Sequence, residues 1–397
     1  MPTRWTQVGV LTAPSCFANG DHLACDGDTI VCAGPARKTA STGPQGPTSV
    51  YVWSASSGSQ LAKLVGHTDS VRCVALDVGR DLVASGGLDG TVRLWQLSTG
   101  ECLAVLRGHV GHVYGLSLGC GLLASGSTFG LKIWSTETHV CLASHRHTQD
   151  VMSVKITETC VLSTSEDGSA MAWPLGEGGP LAVLDHLPRG PVSSVSAHGR
   201  RAVTSQANTV QFWNLDTFEL ASTCINVADA PVYSVHLRDD MLVTGSWNPE
   251  PCAKVWKVST VNSRANVPTM TVTCTGYLRG HGTRDVLGVA SSDGFVATVA
   301  EMDRIVIWRS LLAAGTLVEA HSLVGRADLN GQRGVVSAFV QSSGRYAVWF
   351  DGGNGGALNV MLNVKPSNLS VVQQPDDDEE EDEHVRAENF LHKAGYR

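Results

Sequence analysis

The chain contains 397 residues, of which only 17% are charged, while 42 are glycines. The net charge of −8 equals that of a single acidic run, 376–383, so the rest of the chain is balanced and shows no electrostatic footprint for nucleic acid. The sequence has no signal peptide and no apolar run of about 18 residues, which argues against secretion and against a membrane span.

The cysteines indicate a reducing environment. Eleven of them are scattered along the chain, and none forms a C-x-x-C pair. An odd number without paired spacing predicts free thiols rather than a disulfide framework. We therefore expect the protein in the cytoplasm or the nucleus.

Tryptophan recurs at intervals of about 40 residues, and each copy closes a short strand-like segment. The copies that follow this pattern are Trp53, Trp95, Trp134, Trp173, Trp213, Trp256 and Trp308. A period of this length indicates one supersecondary unit repeated many times, so the repeat itself predicts the fold.

The clearest unit runs from Gly66 to Trp95. It begins with Gly66-His67, continues with strand candidates at 71–76 and 82–87, and reaches Trp95 through the turn 88–90. Asp89-Gly90 between two apolar runs is a strong hairpin signal, and 103–106 supplies a fourth strand. This unit is therefore predicted to form a four-stranded antiparallel sheet.

With these Gly-His and Trp landmarks, the chain resembles the WD-repeat family over about residues 1–363. Within that family it is most similar to the propellers of F-box/WD-repeat substrate receptors. The resemblance implies an all-β fold, a β-propeller of four-stranded blades. The Asp that usually follows the Trp in this family is missing from every repeat here.

The number of blades follows from the strand candidates at the two ends. Seven blades carry the Trp, and three more strand candidates follow Trp308, at 335–340, 345–350 and 357–364. The segment Gln7–Thr12 is left over at the N-terminus, and its pairing with these three strands would close the ring. We predict eight blades, with seven blades and an appended strand cluster as the alternative.

The propeller is predicted to occupy residues 1–364. Beyond it, residues 365–397 change to a Pro, Asp and Glu composition, which predicts a disordered acidic tail.

Four residue types in the repeats look like catalytic groups, but the resemblance implies a structural role for them. In similar propellers a turn Asp, a His, a Ser or Thr and the Trp form a hydrogen-bonded chain inside each blade, because each buried polar group needs a partner. The matching residues are His67, Ser85, Asp89 and Trp95, then His147, Ser163, Asp167 and Trp173, and finally His281, Thr298, Asp303 and Trp308. The blade from His109 to Trp134 is one residue shorter, with Phe129 near the Asp position.

The resemblance also implies a partner-binding face, on which loops and hairpins surround the central channel. The side chains expected on this top face are Arg72, Leu88, Tyr114, Phe129, Met152, Glu166, Tyr233, Trp247 and Leu287. Several are large and apolar, as is typical of protein–protein contacts.

These features predict a non-enzymatic scaffold that binds a protein or a peptide on its top face and is monomeric within a larger complex. The alternative is a substrate-recognition subunit of a ubiquitin ligase, since Arg72 matches one phosphate-reading position of the similar receptors. We expect no cofactor and no metal, because His109/His112 and His145/His147 lack a matching ligand set. The sequence contains no paired carboxylates and no phosphate-binding loop that would indicate an enzyme.

Overall fold

The structure is a computed structural model. It describes residues 5–11, 22–34, 48–184, 190–224, 230–246, 253–262, 268–281, 285–292, 295–300, 305–310, 317–323, 326–340, 345–350, 360–365 and 368–373. The contacts divide the chain into two compact units, unit 1 (Met1–Trp308) and unit 2 (Arg309–Arg397).

The described residues form eight antiparallel sheets, numbered here in chain order. The first strand is β1 (Trp5–Leu11). Sheet 1 contains β2 (Leu23–Asp26), β3 (Thr29–Ala33), β4 (Thr48–Ser54) and β5 (Gln60–His67). Sheet 2 contains β6 (Val71–Asp77), β7 (Leu82–Gly87), β8 (Val92–Gln96) and β9 (Cys102–Leu106). Sheet 3 contains β10 (Val113–Gly119), β11 (Leu122–Ser127), β12 (Gly130–Ser135) and β13 (Cys141–Arg146). Sheet 4 contains β14 (Val151–Ile156), β15 (Val161–Ser165), β16 (Ala170–Trp173) and β17 (Ala182–Leu184).

The second half continues the same order. Sheet 5 contains β18 (Val192–His198), β19 (Arg201–Gln206), β20 (Thr209–Asn214) and β21 (Leu220–Cys224). Sheet 6 contains β22 (Val232–Arg238), β23 (Met241–Ser246), β24 (Ala253–Asn262) and β25 (Pro268–Leu278). Sheet 7 joins β26 (Val286–Ser292), β27 (Phe295–Ala300) and β28 (Ile305–Ser310) to β1. Sheet 8 contains β29 (Leu317–Ala320), β30 (Arg333–Val340), β31 (Arg345–Phe350), β32 (Val360–Val364) and β33 (Leu369–Gln373). Two short 3₁₀-helices, Val78–Arg80 and Ala327–Leu329, lie between strands.

Apolar packing between neighbouring sheets holds unit 1 together. One core cluster, for example, joins Val31 and Val50 of sheet 1 to Val74, Val83 and Trp95 of sheet 2. Each sheet contacts the next in this way, and β2 of sheet 1 also contacts β26 of sheet 7. The order of contacts among these seven sheets is therefore cyclic. The number of sheets matches the eight predicted blades.

The pairing predicted for the N-terminal strand is wrong. Strand β1 lies beside β28 in sheet 7, and it does not join the strands at 335–340, 345–350 and 360–364. Its Leu11 and Val8 pack in one cluster with Ile305 and Ile307 of β28 and with residues of sheet 1. The stretch after Trp308 also supplies its own outer strands, β29 and β33, which the sequence did not reveal.

Sheet 8 extends into the segment predicted to be an acidic tail. Strand β33 pairs with β29 through Val371 and Val318, so the prediction of disorder from residue 365 does not hold for 369–373. The acidic run 376–383 lies outside the described residues. One face of this sheet carries its core, formed by Val318, Val336, Val348 and neighbouring residues.

The strand that begins each sheet in chain order, leaving β1 aside, is called here its inner strand. The inner strands of sheets 1–7 are β2, β6, β10, β14, β18, β22 and β26, and together they line one cavity, called here the channel. Serines fasten these strands to one another, because an edge strand has backbone N–H groups that no strand pairs. Ser117 accepts the N–H of Ile156 at 3.0 Å, and Ser196 accepts that of Leu237 at 3.0 Å. The same contact recurs from Ser153 to Val195, from Ser194 to Val235 and from Ser234 to Val289.

Candidate functional site

A β-bulge occurs at the same place in six of the seven inner strands. In β6 the pairing shifts between Val71 and Cys73, which leaves Arg72 as the extra residue. The equivalent extra residues are Tyr114, Met152, Ser193, Tyr233 and Leu287. A bulge bends the strand and redirects one side chain, and bulges are common beside functional sites. Five of the nine residues predicted on the top face occupy this position.

The bulge residues lie directly before the part of each strand that lines the channel. Val74 follows Arg72 by two residues and lines the channel, as do Leu116 after Tyr114 and Val154 after Met152. The redirected side chains therefore lie at one mouth of the channel.

Tyr114 is the centre of contacts between three consecutive sheets. Burial raises the pKa of Tyr114, and the carboxylate of Asp150, which accepts a hydrogen bond from the phenol, raises it further. The hydrogen bond with Thr128 and the positive charge of Arg72 lower this pKa, but the net result is a raised pKa. The Tyr114 phenol is thus neutral and donates a hydrogen bond to Asp150, which directly precedes β14, while the charge of Arg72 on β6 also acts on it.

His112 joins the same surface to the hairpin of sheet 2. Its Nδ1–H donates to the carbonyl oxygen of Leu88 at 2.9 Å. Its ring also contacts the ring of Tyr114 edge to face, with the centroids 6.1 Å apart. In the sequence, His112 stood out only as a member of the pair His109/His112, which lacks the other ligands of a zinc site. Its position between Leu88 and Tyr114 could not be predicted from the spacing.

Three hairpin tips are attached to the entries of their own inner strands. Leu88 donates its N–H to Ser70, Thr128 to His112, and Glu166 to the carbonyl of Asp150, at 2.8, 3.2 and 3.0 Å. Thr128, rather than Phe129, is therefore the structural equivalent of Leu88 and Glu166. Phe129 follows it with a φ of 60° and with 54% of its surface exposed.

These contacts define one continuous surface on sheets 2, 3 and 4, called here the mouth surface. It consists of Arg72, Leu88, His112, Tyr114, Asp150 and Glu166. Met152 follows Asp150 by two residues and is half-buried.

The remaining predicted residues lie elsewhere. Tyr233 occupies the bulge of sheet 6 and is half-buried, and burial raises its pKa, as does the nearby charge of Asp285. Leu287 occupies the bulge of sheet 7 but is only 6% exposed, so its predicted place on an open face is wrong. Trp247 lies outside the described residues.

The four polar residues of the clearest repeat form a continuous hydrogen-bonded chain. The Trp95 indole donates to Ser85 Oγ at 2.8 Å, Ser85 Oγ lies 2.8 Å from His67 Nε2, and His67 Nδ1 lies 2.9 Å from Asp89. Asp89 also accepts the N–H of Thr68 and two bonds from Thr91. In the tautomer that carries its proton on Nδ1, His67 donates to the carboxylate of Asp89 and accepts the Ser85 hydroxyl proton at Nε2.

Two other junctions repeat this arrangement. Trp173, Ser163 and His147 are linked at 2.7 Å each, and His147 Nδ1 lies 3.3 Å from Asp167. Trp308, Thr298 and His281 are linked at 2.9 and 2.8 Å, while Asp303 lies outside the described residues. In the shorter repeat, Ser127 takes the place of the Asp, with its Oγ 2.6 Å from His109 Nδ1.

The positions of the histidines correct the prediction that each hydrogen-bonded network lies inside a single blade. His67 ends β5, the outer strand of sheet 1, whereas Ser85 and Trp95 lie on β7 and β8 of sheet 2. This hydrogen-bonded network therefore connects two neighbouring sheets and does not remain inside one blade. Ser85 and Ser163 have no exposed surface, so neither hydroxyl can meet a substrate.

The described part of the chain contains no group of three His, Cys, Asp or Glu side chains placed to hold a metal ion. It also contains no helix long and apolar enough to cross a bilayer.

Comparisons with known proteins agree with this architecture. The family model described as "WD domain, G-beta repeat" matches residues 58–96 and 100–135. A chain in the solved structure "Crystal Structure of Mitotic Checkpoint Complex" superposes with a TM-score of 0.63 at 18% identity, over 78% of this chain and 91% of that chain. This likeness shows the fold, that of a WD40 β-propeller.

One curated relative is similar over part of its length. "Zinc finger CCCH domain-containing protein 17" of Oryza sativa subsp. japonica is 27% identical over 172 residues, which cover 41% of this chain and 38% of that protein. The chain thus spans well under half the length of this relative.

Proposed function

We propose that this protein is a non-enzymatic interaction scaffold and that a protein or peptide partner binds at the mouth surface. The observation that carries the proposal is the bulge shared by the inner strands, because it directs Arg72, Tyr114 and Met152 to the same mouth of the channel. The WD40 propeller fold suggests a scaffold, and the mouth surface gives that role a location.

The chemistry of this surface suits a protein partner. Tyr, Met and Arg are enriched at protein–protein contacts, and buried aromatic anchors carry most of the binding energy there. The charges of Arg72 and Asp150 both act on Tyr114, so a partner meets both signs of charge within one patch. Such mixed charges set the orientation of a partner and reject wrong ones.

Several hydrogen bonds hold the patch in place before any partner arrives. The bonds from Leu88 to Ser70, from His112 to Leu88 and from Glu166 to Asp150 attach the hairpin tips to the strand entries. A preorganised surface loses little conformational freedom on binding, which favours affinity.

Quantitative affinity purification of the full chain tests this proposal. Tyr114→Ala removes the central side chain, and Tyr277→Ala is its matched control, because Tyr277 is 50% exposed on β25 between Lys254 and Arg279. We expect the specific partners to fall at least about tenfold with Tyr114→Ala, as for an interface hot spot, and to remain with Tyr277→Ala. Equal recovery by both variants, each verified as folded by circular dichroism, would contradict the proposal.

The ubiquitin-ligase alternative lacks a specific observation in its favour. Among the six bulge residues only Arg72 is basic, whereas phosphate reading by several arginines would need more such positions. The same purification decides it by the presence or absence of ligase adaptors. Residence in the cytoplasm or nucleus and a monomeric state within a larger complex remain predictions, which microscopy and size-exclusion chromatography test.

A further inference from the structure

The outer strand of sheet 2 has an uncovered edge and exposed apolar side chains. Strand β9 is the last strand of that sheet, and no other described strand lies along its free edge. Leu103 and Val105 are 42% and 36% exposed, and they lie on the same face of β9 because side chains alternate along a strand. A free edge carries backbone N–H and C=O groups with which another chain can pair. Strand β9 therefore offers a second chain both hydrogen-bonding groups and apolar surface.

The outer strand of sheet 5, in contrast, is covered by a segment of the same chain. Ser222 of β21 donates its hydroxyl proton to the carbonyl oxygen of Met270 of β25 at 2.8 Å. Met270 and Val272 also pack in one apolar cluster with Ala221 of β21. In the described part of the chain, no strand makes such contacts with the free side of β9. Sheet 5 thus shows that an outer strand of this fold can bind an extended apolar segment.

Strand β9 also lacks the protection that edge strands commonly carry. A charged side chain within an edge strand prevents unwanted pairing with other chains. On β5 of sheet 1, the exposed Lys63 lies between Leu61 and Val65 on the same face. On β9, Leu103 and Val105 follow each other on their face without a charged residue between them. The edge of β9 is therefore open to a partner strand.

Three positive charges lie around the C-terminal end of β9. Arg93 of β8 is the direct cross-strand neighbour of Val105. Arg107 follows the last residue of β9 and is exposed. Lys132 of sheet 3 passes beside Gly108, where an added Cβ would lie 3.8 Å from Lys132 Cε. The three side chains and the apolar pair thus form one continuous surface, called here the rim surface, which consists of Arg93, Leu103, Val105, Arg107 and Lys132.

The three cations have no ionic partner among the described residues. The Arg93 guanidinium donates to Cys102 Sγ at 3.7 Å, and Lys132 Nζ donates to Ser144 Oγ at 3.3 Å. The salt bridges in the described ranges join other residues. The outer strands of sheets 2 and 3, β8, β9, β12 and β13, contain no Asp or Glu. The positive charge of the rim surface is therefore available to an acidic ligand.

Two carboxylates lie at the limits of this surface. Glu101 directly precedes β9, so it lies at the opposite end of the strand from Arg107. Asp89 lines one cavity with Arg107, but its oxygens already accept bonds from Thr91 and pair with His67. The charge along β9 thus changes from negative at its start to positive at its end, which favours one orientation of a charged partner.

We propose that β9 binds an extended acidic segment of a partner protein as an additional strand. Apolar side chains of that segment pack beside Leu103 and Val105, and its Asp or Glu side chains meet Arg93, Arg107 and Lys132. In such strand addition, main-chain hydrogen bonds supply affinity and alternate side chains supply specificity. Sheet 8 already has this arrangement, since β33 lies beside β29 as its fifth strand. A nucleic acid would meet the charges but could not pair with the strand edge, so the edge favours a peptide.

A displayed library of random dodecapeptides, selected on the full chain, tests the rim surface. Peptides that also bind the double variant Arg107→Glu/Lys132→Glu are removed first. We expect the remaining peptides to alternate acidic and apolar residues and to bind the double variant at least about tenfold more weakly, because attractions become repulsions. The control Lys63→Glu/Arg200→Glu has the same net charge and changes exposed cations outside the rim surface, so it should bind like the wild type.

A measurement on the wild-type chain protects the test from a folding defect in the variants. Only every second N–H of an added strand faces the strand with which it pairs. Two versions of a selected peptide, N-methylated at odd or at even positions, should therefore differ, and only one of them should lose binding. Hydrogen exchange at the backbone amides of β9 should slow when the unmodified peptide is added.

Four results would overturn the proposal. They are a selection that leaves no peptide, selected peptides without an excess of Asp and Glu, equal loss of binding in both N-methylated versions, and unchanged exchange in β9. An oligonucleotide that binds the wild type but not Arg107→Glu/Lys132→Glu, while no peptide does, would assign the surface to nucleic acid instead. Tyr114→Ala should keep the selected peptides, so the proposals for the rim surface and the mouth surface can fail separately.

Discussion

The junction between sheets 1 and 2 and the junction between sheets 2 and 3 both contain a histidine, but the group that pairs with its Nδ1 differs. In the first, His67 Nδ1 meets the carboxylate of Asp89 at 2.9 Å. In the second, His109 Nδ1 meets the hydroxyl of Ser127 at 2.6 Å. In both, the other ring nitrogen reaches a buried serine, Ser85 or Ser125, that accepts the Trp indole N–H.

This comparison shows that the junction needs a hydrogen-bonding partner for the histidine but not a charge. The two junctions nevertheless respond differently to protons. Burial lowers the pKa of His109 to about 4, and Lys132 adds to the shift. Burial alone would raise the pKa of Asp89, but hydrogen bonds from His67, Thr91 and Thr68 outweigh it and hold that pKa well below its usual range.

The largest effect is expected for Asp89→Ala. The change leaves His67 Nδ1, the N–H of Thr68 and both donors of Thr91 without their partner. Because unpaired buried groups cost about 1–3 kcal/mol each and part of this site reaches water, we expect a loss of about 3 kcal/mol in the free energy of unfolding. Urea unfolding at neutral pH measures it.

Ser127→Ala breaks the corresponding contact of the second junction and should cost less. It removes the partner of one imidazole nitrogen, so a loss of about 1–2 kcal/mol is expected by the same urea method. A larger loss for Ser127→Ala than for Asp89→Ala would refute the idea that the carboxylate fastens more groups.

Asp89→Asn sharpens the comparison through pH. A carboxylate with a lowered pKa stabilises the fold above about pH 4, the pKa of the unfolded chain, and the contribution disappears as the pH falls through the folded value. The stability difference between wild type and Asp89→Asn should therefore shrink steadily below about pH 4. The buried His109 also destabilises the fold as the pH falls from 6.5 towards its folded pKa of about 4, but it does so in both proteins and cancels. A difference that stays constant from neutral to acidic pH would contradict this assignment.

Phe129→Gly is expected to have the smallest effect, in the opposite direction. Phe129 has a φ of 60°, a left-handed conformation that costs a side chain about 1–2 kcal/mol, and its ring is largely exposed. After the entropic cost of glycine, a gain of about 0.5 kcal/mol remains. Gly90 already occupies a left-handed position in the longer turn of sheet 2, and Gly90→Ala, the control, should destabilise.

Much of the fold was predictable because the Trp period and hairpin signals are local. The strands around Trp95 and those at 333–340, 345–350 and 360–364 appear where the apolar alternation placed them. The pairing of β1 was not predictable, since the edges beside β28 and beside β32 looked equally open in sequence. The packing of Val8 and Leu11 against Ile305 and Ile307 made the choice.

The candidate site was harder to predict from the sequence than the fold, because it depends on contacts between repeats. Ser127 was missed because the turn is one residue shorter, which moves the histidine's partner to a position with no Asp. His112 and Asp150 belong to the mouth surface because of contacts between sheets, which the sequence does not show. Leu287 does not belong to it because its side chain is buried. The serines that connect the inner strands depend on the register between sheets, which no single repeat encodes.

Site-specific photo-cross-linking tests most directly whether partners bind at the mouth surface. The photoreactive residue p-benzoylphenylalanine, placed at Tyr114 or at Tyr277 of the full chain, reports what lies beside each position in cells. Our account predicts discrete cross-linked partners from position 114 and none in common from position 277. The same cross-linked species from both positions, or discrete species only from position 277, would contradict it.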